Sequence, residues 1–123
     1  MTLADIKTQA LFQFGNDTDA LDDYEFQPHI VDYANEGYDI LMWAWKDTHI
    51  PDADLLVDDD DVPSIPEWAH RAIADYTTWM LYRNGNSARQ NRGQAYLSNF
   101  NQIKIRLQTE KYDGVRHFHH IPK

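Results

Sequence analysis

The chain has 123 residues, no cysteine, and 20 Asp+Glu against 11 Lys+Arg, a formal charge of −9. That length predicts one domain with one core, since domains commonly run about 100–150 residues, and the missing thiols exclude a disulfide scaffold, a cysteine zinc site and a thiol nucleophile. The acidic balance argues against a general nucleic-acid binder, whose affinity rests on Lys and Arg neutralising phosphates.

The first helix is predicted to start after Thr2, a good N-cap, with Asp5 placed to complete a capping box. Leu3, Ile6, Ala10 and Phe14 recur at helical spacing, with Leu11 alongside. Gly15 suits the left-handed position that ends a helix. Residues 15–25 are polar and acidic and read as a connection.

The second helix admits Pro28 in its first turn. Phe26, Ile30, Ala34, Gly37, Leu41 and Ala44 form its stripe, widened by Tyr33, Tyr38 and Trp45. Ile40 to Trp45 is apolar all round, which calls for cover on every side. The following loop is expected to supply it, with a partner subunit as the alternative. The same run is the longest apolar one in the chain, far short of the ~20 residues of a membrane span.

Residues 47–63 form a long connection ending in Asp58, Asp59, Asp60 and Asp61. The third helix is predicted after Ser64 as N-cap, with Pro66 and Glu67 in its first turn. Its stripe is Trp68, Ala72, Tyr76 and Trp79. The fourth carries Gly93, Tyr96, Phe100, Ile103 and Leu107 at spacings of three and four. Glycine costs a helix about 1 kcal/mol relative to alanine, so Gly93 marks a close helix contact or a late start. Residues 112–123 show no stripe and read as an extended tail. The expected fold is a small all-α four-helix bundle over 1–108, with a long acidic inter-helix loop and a C-terminal docking arm over 109–123.

Charge is unevenly spread. Residues 1–61 hold 16 acids against Lys7 and Lys46, a net −14; residues 62–123 hold nine bases against four acids, a net +5. Such asymmetry suggests an interaction surface, against the plainer reading that the two halves cancel on folding. Trp43 and Tyr82 fall off the helical stripes, and together with Trp45, Arg83, Arg89 and Arg92 they are the subunit-interface candidates.

No catalytic constellation emerges, and neither cofactor nor metal is expected. There is no phosphate-binding glycine loop and no nucleophile elbow. Asp58–Asp61 lacks the alternating ligands, glycine and distal glutamate of a calcium loop. His117, His119 and His120 have no cysteine to complete a metal site. His70 reads as structural, with a small enzyme built around it as a remote alternative.

Two stretches carry a resemblance. One is Tyr33-Ala34-Asn35-Glu36-Gly37-Tyr38-Asp39-Ile40-Leu41. The other is Ile65-Pro66-Glu67-Trp68-Ala69-His70-Arg71-Ala72-Ile73-Ala74-Asp75-Tyr76, continuing through Leu81-Tyr82-Arg83-Asn84-Gly85-Asn86 to Arg89, Arg92, Gly93, Tyr96 and Phe100. An Asn-x-x-Tyr helix after a short first helix, then a Pro-Glu-x-x-His start and a long last helix, resembles the head–tail connector (adaptor) proteins of tailed bacteriophages over residues 1–108. The resemblance implies a virion neck protein, assembled in the host cytoplasm as a ring, commonly of twelve subunits, beneath the portal. The ring would extend the DNA channel and present a platform to the next neck or tail protein. Asp58, Asp59, Asp60 and Asp61 become channel candidates. Arg116, His117, Phe118, His119, His120 and Ile121 become portal-docking candidates. DNA would pass through without specific binding, and no membrane is involved. The rivals are another neck or tail-completion protein, or an acidic protein that occupies a basic DNA-binding partner.

Overall fold

The computed structural model describes the backbone of residues 1–15, 27–83 and 87–120, with side chains at 1–15, 29–83 and 90–111. It is all-α: α1 (Leu3–Gln13), α2 (Gln27–Lys46), α3 (His70–Arg83) and α4 (Ser87–His120), with single 3-10 turns at Asp52–Asp54 and Glu67–Ala69. Four helices are found where four were expected. Residues 16–26, expected to hold the first connection and Phe26, lie outside the described residues, as does the turn at 84–86. Among the described residues no helix is long and apolar enough to cross a membrane.

The start of α1 follows the sequence closely. Thr2 Oγ1 accepts from the Asp5 amide at 3.2 Å, and Asp5 Oδ2 accepts from the Thr2 amide at 3.0 Å. These bonds, the backbone one first, hold the Asp5 carboxyl below its usual range. Leu3, Ile6 and Ala10 are wholly buried, and Gly15 takes φ +82° after the last turn, where a side chain would be strained. Thr2→Ala is expected to cost about 1 kcal/mol, the usual worth of such a cap, read as a lower urea midpoint at unchanged slope.

The third helix is the axis of the fold, packed against α1, α2 and α4. Nearly every position from His70 to Thr78, then Leu81 and Tyr82, is buried. Its polar members are satisfied locally: Thr77 Oγ1 donates to the Ile73 carbonyl and Thr78 Oγ1 to the Ala74 carbonyl, both at 2.8 Å. Ser64 is not its N-cap. The helix is entered through the 3-10 turn after Pro66, with no side-chain cap, and the Ser64 amide donates to Tyr38 Oη at 2.8 Å. The cause is Pro66, which favours extended backbone at Ile65 and so moves Ser64 out of capping register.

Two glycines set the helix spacing. A Cβ on Gly37 would lie 2.8 Å from Tyr76 Cδ1, and one on Gly93 would lie 2.8 Å from Tyr82 Cβ. Gly93 therefore marks a close approach of α4 to α3. Along α4, Phe100 and Leu107 are buried and Tyr96 and Ile103 partly so, as the stripe predicts.

The expected extended tail is not seen: α4 runs unbroken to His120. Over 109–120 the only helix-weakening glycine is Gly114, worth about 1 kcal/mol, and the first proline is Pro122. The absence of a stripe therefore did not mean the absence of a helix. Lys111 also ties this segment to the end of α2, its Nζ 2.9 Å from Asp47 Oδ1.

Candidate functional site

The long loop is pinned by the polar face of α2. Asn35 pairs with the Leu56 backbone, its Nδ2 donating to the carbonyl at 2.9 Å and its Oδ1 accepting from the amide at 2.8 Å. Asp39, one turn on, accepts from the Ile50 amide and from His49 Nδ1, both at 2.9 Å. Asn35 and Tyr38, the two named members of the Asn-x-x-Tyr pattern, thus both hold the loop. Ile50 and Leu56 are thereby folded into the core.

The acidic run is an organised turn. Asp61 Oδ2 accepts from the Val57 and Asp58 amides, both at 2.8 Å, and these bonds hold its carboxyl below the usual range. The turn docks on the start of α1. The Leu3 amide donates to the Asp61 carbonyl at 2.8 Å and the Ala4 amide to the Asp59 carbonyl at 3.1 Å. Those amides have no partner within their own helix. Lys7 Nζ sits 2.7 Å from Asp59 Oδ1. Of the four channel candidates, the carboxylates of Asp59 and Asp61 are thus engaged inside the chain, and Asp58, Asp59 and Asp60 are exposed.

Cover of the apolar end of α2 is one-sided. Leu41 and Met42 are buried in the core, yet Trp43 remains 49% exposed. It packs on His49, ring centroids 4.7 Å apart. Together they line a groove of about 390 Å³ with Ile40, Ala44, Asp39 and, from α4, Lys104 and Gln108. Trp45 is partly buried against the core, with Lys46 Nζ 4.1 Å from its ring centroid.

Among the other interface candidates Tyr82 is a correction. It is buried, its ring lies 4.7 Å from that of Phe14, and its hydroxyl donates to the Gln13 and Phe14 carbonyls. A single-stripe reading misplaces it because α3 has neighbours on three sides. Arg83 and Arg92 are exposed, the former with its guanidinium 5.5 Å from the Trp79 ring centroid. The side chains of Arg89 and of Arg116, His117, Phe118, His119 and His120, and all of Ile121, lie outside the described residues.

His70 is 2% exposed. Its Nε2 donates to the Ile65 carbonyl at 2.8 Å, and its Nδ1 accepts from the Met1 amine at 3.0 Å, partners that assign the ring proton to Nε2. The same amine donates to Glu67 Oε1 at 2.9 Å, which holds that carboxyl below its usual range. Both ring nitrogens are thus committed to the fold. Among the described residues no three metal-ligating side chains converge.

A second cleft, about 340 Å³, was not foreseen. Gln13, Trp68, Arg71, Asp75, Tyr96, Asn99 and Gln102 line it, from α1, the turn before α3, α3 and α4. Asp75 is only 7% exposed, and burial pushes its carboxyl up to about 6 against the opposing pull of the Gln13 hydrogen bond and the Arg71 charge. A signal was present in the sequence: Asp75 stands seven residues after Trp68, on the apolar stripe itself.

Compared with family models, with curated proteins and with solved structures, the chain matches none.

Proposed function

We propose that the chain is a structural adaptor of a tailed-phage neck, which assembles as a ring under the portal and docks the next neck or tail protein. The observation that carries this reading is Trp43, half-exposed in an apolar groove between α2 and α4. Tryptophan leads the residue types that dominate protein–protein contacts, above all in a pocket. The division of charge, −14 before Val62 and +5 from there on, suits a head-to-tail contact between copies. Such contacts close into rings when the rotation permits. The likeness of residues 33–41 and 65–100 to connector proteins supports the same reading.

In such a ring, exposed Asp58 and Asp60 would place negative charge where DNA passes, and like charge keeps a duplex from sticking (the converse of phosphate-driven binding). The end of α4 would meet the portal. The proposal assigns no catalysis and no cofactor.

Electron microscopy of the purified chain, alone and with the portal protein of the same genome, tests this. Rings, stacked on the portal when it is present, are the expected result. Trp43→Ala is expected to weaken ring assembly by roughly thirtyfold, the effect of about 2 kcal/mol at a contact hot spot, while leaving urea unfolding of the subunit almost unchanged. A monomer with no affinity for the portal at any salt would overturn the reading.

A further inference from the structure

We propose that the cleft over Asp75 is a receptor for a guanidinium group, an arginine side chain delivered from outside the fold. Asp75 sits in the cleft wall at 7% exposure. The side-chain amide of Gln13 lies beside it and favours its ionised form. Gln13 is itself fixed, its Nε2 donating to Thr78 Oγ1 at 2.9 Å and its Oε1 accepting from Gln9 at 3.0 Å. A carboxylate offers about four acceptor positions, so most of this one's capacity is unused. Among the described residues no lysine, arginine or histidine forms an ion pair with it. Among the described residues of the lining, Arg71, one turn earlier on α3, is the only charged one besides Asp75, and it is exposed.

Buried charges are ordinarily paired, because an unpaired one carries its full desolvation cost. The rest of the lining selects the partner. Trp68 and Tyr96 offer aromatic surface, and Asn99 and Gln102 offer amide oxygens. A planar guanidinium uses all of these: it bonds a carboxylate with two parallel N–H groups, stacks on rings, and is more weakly hydrated than an ammonium. Trp68 already carries one guanidinium, that of Arg106, 3.9 Å from its ring centroid. Arg106 is not part of the cleft lining. The cleft, at about 340 Å³, far exceeds the ~30 Å³ of a water molecule.

The groups that face Asp75 limit the pH dependence to its own titration. Among the described residues α1 contributes the amide of Gln13, α3 the guanidinium of Arg71 and α4 the phenol of Tyr96. With the carboxyl at about 6, the site is mostly ionised at pH 7.5 and mostly protonated at pH 5. Binding therefore weakens by about tenfold between the two.

The test is a nuclear magnetic resonance titration of the full chain with ethylguanidinium chloride, and with ethylammonium chloride as comparator, at pH 7.5. Saturable shifts are expected at the side-chain amides of Gln13, Asn99 and Gln102. They should be at least tenfold weaker in Asp75→Asn, with ethylammonium, and at pH 5. Asn99→Ala, a change at an exposed position, should weaken binding a few-fold in a folded protein and guards against misfolding of the first variant. Unsaturable shifts, shifts confined to Asp58 and Asp60, or equal binding by Asp75→Asn would overturn the proposal. Sedimentation then separates the sources. Self-association lost in Asp75→Asn assigns the arginine to a second copy, and self-association unchanged assigns it to a different protein. The site stands apart from the neck reading: rings that form while ethylguanidinium fails to bind would refute the receptor alone.

Discussion

Asp75→Asn is expected to make the protein more stable at pH 7.5, by about 2 kcal/mol, with most of that gain gone at pH 4.5. The carboxyl lies at about 6 in the folded chain against 3.8 for the free side chain. Between those values the folded state binds the extra proton, so the contribution of this one group is fully present below pH 4 and is lost as pH rises from there through 6. A displacement of about two pKa units corresponds to roughly 3 kcal/mol, and residual solvent contact at the cleft reduces it. Asparagine keeps the shape and an acceptor for Gln13 while removing the charge. Asp5, Asp61 and Glu67 act in the opposite direction, their carboxyls being lowered by hydrogen bonds. Their contribution is lost as pH falls below about 4, outside the window in which Asp75 titrates. Urea unfolding of both proteins from pH 4.5 to 8 measures the difference. A gap that is the same at both ends of the range would show that Asp75 is not the titrating group. If the cleft takes an arginine, the native partner should reverse the sign, stabilising the wild type and leaving the asparagine variant unmoved.

The second large effect is steric. Gly37→Ala and Gly93→Ala each gain up to about 1 kcal/mol of helix propensity, and taken alone that would stabilise the chain. Each new methyl, however, meets a side chain that has little room to retreat. At Gly93 the contact is Tyr82 Cβ at 2.8 Å, the atom nearest that residue's backbone, and Tyr82 is held at its far end by the Gln13 and Phe14 carbonyls. At Gly37 the contacts are Tyr76 Cδ1, Cγ and Cβ, at 2.8, 2.9 and 3.0 Å. Tyr76 donates its hydroxyl to Glu36 and packs on Phe100, ring centroids 4.9 Å apart. Burial and that hydrogen bond also keep its phenol protonated well beyond its usual range. Overpacking of this kind costs about 1–3 kcal/mol and outweighs the propensity gain. The expected net loss is about 1–2 kcal/mol for each change. The double variant should lose about 2–4 kcal/mol, since the two glycines press on different tyrosines. Chemical denaturation reads this directly, and stabilisation by either alanine would show that the helices are free to part.

The elements that could be read from the sequence are those in which local chemistry and packing agree. Thr2, Asp5 and Gly15 delimit α1 because a cap and a left-handed glycine act within a few residues. The α4 stripe was legible because one face of that helix is buried and the other is wet. The third helix was less so. With Asp75, Thr77 and Thr78 buried beside Ile73 and Ala74, polarity no longer reports exposure, since the threonines bond their own helix and the aspartate lines a cleft. Ser64 has the chemistry of a cap, but Pro66 restrains Ile65 to extended backbone and takes Ser64 out of register. Residues 109–120 lack an amphipathic stripe, yet their composition suits a helix, so periodicity alone points to an extended arm where α4 continues. The groove at Trp43 was half legible: the run Ile40–Trp45 showed that cover was needed, whereas only the pairing of Asn35 and Asp39 with the loop decides which side receives it.

The docking of residues 59–61 on the first turn of α1 also orders events in time. The Leu3 and Ala4 amides find their carbonyls more than fifty positions downstream, and α1 lies against α3 more than against α2, its neighbour in sequence. When the chain is synthesised, α1 leaves the ribosome well before either the turn or α3 exists. An isolated helix of 11 residues is marginal in water, so α1 gains its stability only after most of the chain has emerged. Closing that distance costs entropy before any contact repays it. Refolding should accordingly show α1 docking late, with Lys7→Ala, which removes a contact to the turn, mainly accelerating unfolding.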